Sequence, residues 1–119
     1  MVKKATFARS IILVDDDIRV LRSLRRALES AGHRVRAANS AEAALKLHIA
    51  DEDVLVADRV MPRCGGLSLL KQMRERHPAL KAVLISGHGL GPENKPQGVS
   101  FLDKPFKAEA LEQVLDALL

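Results

Sequence analysis

The chain has 119 residues, 47% of them hydrophobic and 29% charged, which is enough for one apolar core and too few for two. Its formal charge of +4 comes from 19 basic and 15 acidic residues, and the basic ones are dispersed without aromatic interleaving, which argues against direct nucleic-acid contact. A single cysteine, Cys64, excludes an internal disulfide and agrees with a reducing compartment, while the apolar stretch behind Lys3, Lys4 and Arg9 is too short for a signal peptide or a membrane span.

Residues 11–14 read as a first strand running into Asp15, Asp16 and Asp17. Ile18, Leu21, Leu24, Leu28 and Ala31 then recur at three- and four-residue spacing, which predicts a helix from about Asp17 to Ala31 with Gly32 as its left-handed stop. Arg19, Arg22 and Arg26 share its outer face, a stripe of the kind that is ordinarily just solvated. Val35 and Ala37 mark a short second strand. Asn39 or Ser40 can cap a second helix running through Ile49, and Glu42 stands three residues after Asn39, the spacing of a capping box.

Residues 54–57 predict a third strand, ending at Asp58. Met61-Pro62 and Gly65-Gly66 punctuate a loop, and Leu67, Leu70 and Met73 predict a third helix stopped near His77 by Pro78. Residues 82–85 and 99–102 form the fourth and fifth strands, and Leu111, Val114, Leu115 and Leu118 line a closing helix from about Lys107. Residues 87–98 break this alternation, holding four of the seven glycines and two of the five prolines. Interior Gly costs about 1 kcal/mol and interior Pro about 3 kcal/mol relative to Ala, so an irregular loop with at most one helical turn is expected there.

Apolar runs alternating with amphipathic ones argue for a parallel sheet covered by helices. If the runs are parallel strands, the residues that end them meet at one sheet edge: Asp15 and Asp16, Asp58, Ser86 and Lys104. Carboxylates there suit a divalent cation, and a hydroxyl and an ammonium suit phosphoryl oxygens. Asp58 is the natural acceptor of a phosphoryl group in such a site. It could instead serve as a helix cap, but no helix begins directly after it. Phe101 alternates with Val99 and reads nearly as well as a plain core residue.

Four segments in order, IILVDDD at 11–17, VLVADRVMPRCGG at 54–66, LISGHG at 84–89 and FLDKPF at 101–106, resemble the signature regions of response regulator receiver domains, the phosphoacceptor half of two-component signalling. SGHG is most similar to receivers of transcriptional regulators of the nitrogen-control type. The resemblance covers nearly the whole chain and implies one receiver domain over 1–119, with about 1–9 as a flexible tail. It implies a flavodoxin-like, doubly wound α/β fold with a five-stranded parallel sheet of order 2-1-3-4-5, the helix between strands 4 and 5 being short or absent here.

By the same resemblance Asp58 is phosphorylated by a sensor histidine kinase or phosphotransfer protein. Mg²⁺ is held by Asp15, Asp16, Asp58 and the backbone carbonyl of Val60. Ser86 and Lys104 bind the phosphoryl group, and Ser86 and Phe101 act as the switch pair. Val60 and His88 border the path of the hydrolytic water, and Lys104-Pro105 falls where a cis peptide is common. A cytoplasmic location follows from the resemblance, with a second copy of the chain as a further partner and no membrane or direct nucleic-acid contact. The alternative from another class is a haloacid-dehalogenase-like phosphohydrolase with Asp15 as nucleophile and Asp17 as general acid. It is disfavoured by Arg19 and leaves Asp58 to Pro62 without a role.

Overall fold

The structure is a computed structural model that describes residues 7–87 and 95–118. Five strands, β1 (Ser10–Val14), β2 (Arg34–Ala38), β3 (Val54–Asp58), β4 (Lys81–Ser86) and β5 (Val99–Asp103), form one sheet in the order β2-β1-β3-β4-β5. Every neighbouring pair is parallel. Among the described residues four helices accompany them: α1 (Ile18–Ser30), α2 (Ala41–Leu45), α3 (Gly66–Arg74) and α4 (Ala108–Ala117). Among the described residues no helix lies between β4 and β5. Residues 88–94, which hold most of the glycine-rich stretch and His88, fall outside the described residues.

The central strands are apolar without alternation because both faces of the sheet are covered. Ile12, Val14, Leu55, Ala57 and Leu84 pack with Leu69, Leu70 and Met73 of α3 and with Ala41 and Ala44 of α2. Ile11, Leu13, Val56, Val83 and Ile85 pack on the other face with Leu21 and Leu28 of α1 and Leu111 and Leu115 of α4. The two-residue period of a strand thus assigns each side chain to a layer, and a one-residue slip would exchange the layers.

Helix α1 starts where the carboxylate of Asp17 accepts the N–H of Arg19 at 2.9 Å and of Val20 at 3.5 Å. It ends ahead of Gly32, whose φ of 105° needs a residue without a Cβ. Helix α2 departs from expectation in two ways. Its cap is Ser40, whose Oγ accepts the Ala43 N–H at 3.1 Å, so Glu42 has no capping-box role and faces Arg63 at 3.8 Å instead. It also stops at Leu45 rather than Ile49. Arg36 donates to the His48 carbonyl and pairs with buried Asp53, while the Asp53 carboxylate takes the Ala50 N–H at 2.8 Å. The Arg36 side chain, 12 residues away, and the nearby Asp53 carboxylate thereby hold the backbone of His48 and Ala50 outside the helix.

Three further ties close the domain. The Arg74 guanidinium donates to the Leu80 carbonyl at 2.9 and 2.7 Å and to the Gln97 carbonyl at 2.8 Å, joining the end of α3 to the last residues before β5. Lys81 donates to the Leu118 carbonyl at the end of α4. Buried His33 accepts the Arg9 N–H on Nδ1 at 3.0 Å, so its proton sits on Nε2, 2.9 Å from Glu112 of α4. Of the amino-terminal tail, residues 1–6 lie outside the described residues; Arg9 is held by that bond and by its carbonyl, which accepts the Arg34 N–H at 2.9 Å.

Candidate functional site

Parallel pairing brings all the carboxyl ends of the strands to one edge. The sheet order places a crevice between β1 and β3, because the chain leaves those two strands toward opposite sides of the sheet. Asp15 and Asp16 follow β1 and Asp58 ends β3, so the crevice is lined by acids. One oxygen from each of Asp15, Asp16 and Asp58 lies within 4.8 Å of the others. Ser86 ends β4, buried, and its carbonyl accepts the Lys104 N–H at 2.8 Å. That bond brings Lys104 toward β3 across β4, and its Nζ donates to Asp58 Oδ2 at 3.0 Å. The Lys104-Pro105 peptide is cis.

The three carboxylates differ sharply in setting. Asp16 is exposed, whereas Asp15 is 2% exposed. Asp15 Oδ1 accepts the Asp17 N–H at 2.9 Å, but its Oδ2 is buried without a donor among the described residues. Burial pushes the Asp15 carboxyl above the usual carboxylate range, reinforced by the charges of Asp58 and Asp16 and opposed by the Asp17 N–H and Lys104. Asp58 Oδ1 accepts the Val60 N–H at 3.1 Å, leaving its side chain 13% exposed at the crevice. Burial alone would depress the Lys104 ammonium, but its hydrogen bond to Asp58 and the charges of Asp58, Asp15 and Asp16 outweigh that and hold it above its ordinary value. Three hard oxygen donors, one of them buried and unsatisfied, fit a divalent cation such as Mg²⁺.

The two glycines entering α3 are fitted to the carboxyl end of β3. A Cβ on Gly66 would stand 2.6 Å from the Asp58 carbonyl oxygen, and one on Gly65 would stand 2.5 Å from that of Arg59. Val60 is exposed beside Asp58. Phe101 is half-buried against the α3-side core, with the Arg59 guanidinium over its ring, 5.9 Å from the centroid. Sequence reasoning passed over Arg59. Its strand parity puts it on the side of Ala57 and Leu55, but the meeting with Phe101 depends on the order β3-β4-β5, which spacing does not reveal. His88 lies outside the described residues.

The fold and the site together define a doubly wound α/β domain with an acidic crevice closed by a lysine. The chain matches the response regulator receiver domain over residues 11–116 and belongs to that family, the signalling domain of two-component systems. It is 34% identical over 128 aligned positions to sensor kinase CckA of Brucella abortus, covering 99% of this chain and 14% of that protein. It is also 34% identical to the C4-dicarboxylate transport transcriptional regulatory protein DctD of Pseudomonas aeruginosa, over 85% of this chain and 23% of that one. Among solved structures, chemotaxis protein CheY4 of Vibrio cholerae superposes with a TM-score of 0.82 at 26% identity, covering 95% of this chain and all of that one. The chain thus spans only a fraction of the curated relatives named here. Family membership sets aside the phosphohydrolase alternative, in keeping with Asp17, whose carboxylate is committed to capping α1. No helix among the described residues is long and apolar enough to cross a membrane.

Proposed function

We propose that Asp58 accepts a phosphoryl group from a phosphohistidine on a sensor histidine kinase or phosphotransfer protein, in a Mg²⁺-dependent reaction that switches a signalling output from a cytoplasmic receiver. The observation that carries this reading is the placement of the Asp58 carboxylate between the Lys104 ammonium at 3.0 Å and the acidic pair Asp15 and Asp16. An Asp58 oxygen attacks phosphorus, the bond to the imidazole nitrogen breaks, and the imidazole leaves with the electron pair, giving an acyl phosphate. Asp15, Asp16, Asp58 and the Val60 carbonyl would hold the cation, which when bound supplies positive charge to the transferring group. Lys104 supplies a second positive charge, and the Ser86 hydroxyl is the donor for a phosphoryl oxygen.

The Val60 N–H on Asp58 Oδ1 orients the carboxylate toward the crevice. Val60 has no side-chain polar group to align a hydrolytic water, so the phosphoryl group is long-lived unless His88 assists. Phosphorylated and unphosphorylated copies are expected to differ in the tendency to pair with each other. The direct experiment is incubation with acetyl phosphate and Mg²⁺, read by intact mass because the chain has no Trp for fluorescence. One phosphoryl group should be gained by the wild type and none by Asp58→Asn; a full gain in Asp58→Asn overturns the assignment.

A further inference from the structure

We propose that His33 is a proton-operated latch at the amino edge of the sheet: neutral, it ties the segment ahead of β1 to α4, and protonated, it releases Arg9 while keeping Glu112. Its side chain is fully buried and serves no step at the acidic crevice, since Arg9 precedes β1 and Arg34 opens β2, at the opposite end of the strands from Asp15 and Asp58. Its Nδ1 accepts the Arg9 N–H at 3.0 Å, and its Nε2 lies 2.9 and 3.0 Å from the two carboxylate oxygens of Glu112. A neutral imidazole has one donor and one acceptor nitrogen, and both are committed here to partners that demand this tautomer. Three pieces of chain far apart in sequence therefore meet on one ring.

A proton can enter only at Nδ1, and it turns the acceptor of the Arg9 bond into a donor. Two N–H groups then face each other at 3.0 Å, with no room for a water between them. At the same time the bond from Nε2 to Glu112 becomes charge-assisted at both ends and stronger. The conflict is settled on the Arg9 side. His33 is fixed by its own N–H, which donates to the Leu28 carbonyl at 3.1 Å, and by Glu112 on a helix packed into the core through Leu111 and Leu115. Arg9 lies outside any strand, and its guanidinium Nε and Nη2 are buried without a partner among the described residues. Its carbonyl bond to the Arg34 N–H leaves its own N–H free to turn. The other charged groups on these segments are Arg34 on β2, Asp116 on α4, and Glu29 paired with Arg25 on α1. Among the described residues none of those four bonds the ring.

The test follows the whole ¹⁵N-labelled chain by ¹H–¹⁵N NMR from about pH 8 to about pH 5, across the ordinary histidine value of about 6.5. The ring nitrogens report the proton on His33, and the Arg9 backbone amide reports its bond. The Arg9 amide should shift upfield with the same midpoint as the ring. Its protection from hydrogen exchange, corrected for the intrinsic effect of pH, should fall roughly tenfold, as for the loss of one hydrogen bond. The His33 N–H, bonded to Leu28, should keep its protection. His33→Gln retains an acceptor and a donor but takes up no proton, so its Arg9 amide should not respond. An Arg9 amide that stays put while the ring takes up its proton overturns the latch, and so does a ring that stays neutral until the fold is lost. An equal Arg9 response in His33→Gln overturns it as well, and where that variant does not fold the wild-type titration decides.

Discussion

Magnesium should stabilise this domain through Asp16 and Asp58, and the size of the effect follows from the crowding of charge in the crevice. Three carboxylate oxygens lie within 4.8 Å of one another, with the Lys104 ammonium on one of them. At an effective dielectric near 20, a like-charged pair at that spacing repels by about 3 kcal/mol, an upper figure that Lys104 and solvent reduce. The buried Asp15 Oδ2, with no donor among the described residues, adds a desolvation cost that a cation would relieve. Binding to the folded state alone contributes about 2.7 kcal/mol at a free concentration one hundred times the dissociation constant. For a domain of this size that corresponds to a melting temperature raised by roughly 10 °C. The assay is thermal unfolding followed by far-ultraviolet circular dichroism across a Mg²⁺ titration, with Asp16→Asn plus Asp58→Asn alongside the wild type. The double variant should melt higher than the wild type without Mg²⁺ and should not respond to it. An equal Mg²⁺ shift in both proteins would refute the reasoning.

Gly66→Ala gains about 1 kcal/mol of helix propensity but forces a Cβ to within 2.6 Å of the Asp58 carbonyl, where strain of about 2–3 kcal/mol prevails; a lower denaturation midpoint and slower phosphorylation are expected, and an unchanged midpoint would contradict the close fit. Burial alone would raise the Asp53 carboxyl, but the Ser10 side chain, the Ala50 N–H and Arg36 together hold it below its ordinary value of 3.8. A carboxyl depressed on folding contributes stability above its unfolded value that is lost as pH falls through the folded one, so Asp53→Asn should cost about 2 kcal/mol at pH 7 and flatten the loss of stability below pH 4; parallel wild-type and variant curves of stability against pH would count against this. Val60→Asn should shorten the lifetime of the acyl phosphate, read by intact mass after removal of the donor, and a fast wild-type decay unaffected by the substitution would show that position 60 does not limit hydrolysis.

The sequence by itself determined the layered α/β fold and the composition of the crevice. A strand buried on both faces stays apolar until it leaves the sheet, so its first polar residue falls at the sheet edge, and Asp15, Asp58 and Ser86 are legible from that local rule, whereas Lys104 lies one residue beyond Asp103 at the end of the half-buried edge strand β5. Cap residues such as Asp17 and stops such as Gly32 are equally local. Tertiary structure decided what depends on partners far apart in the chain. It buried Asp15 and left Asp16 exposed, which adjacent identical residues could not foretell. It tied Arg36 to the His48 carbonyl and to Asp53 in the segment after α2, and it fastened α4 through Glu112 to His33. It also set Arg59 over Phe101 across an intervening strand. Backbone periodicity is written in neighbouring residues, whereas side-chain partnerships form only once the sheet has chosen its strand order.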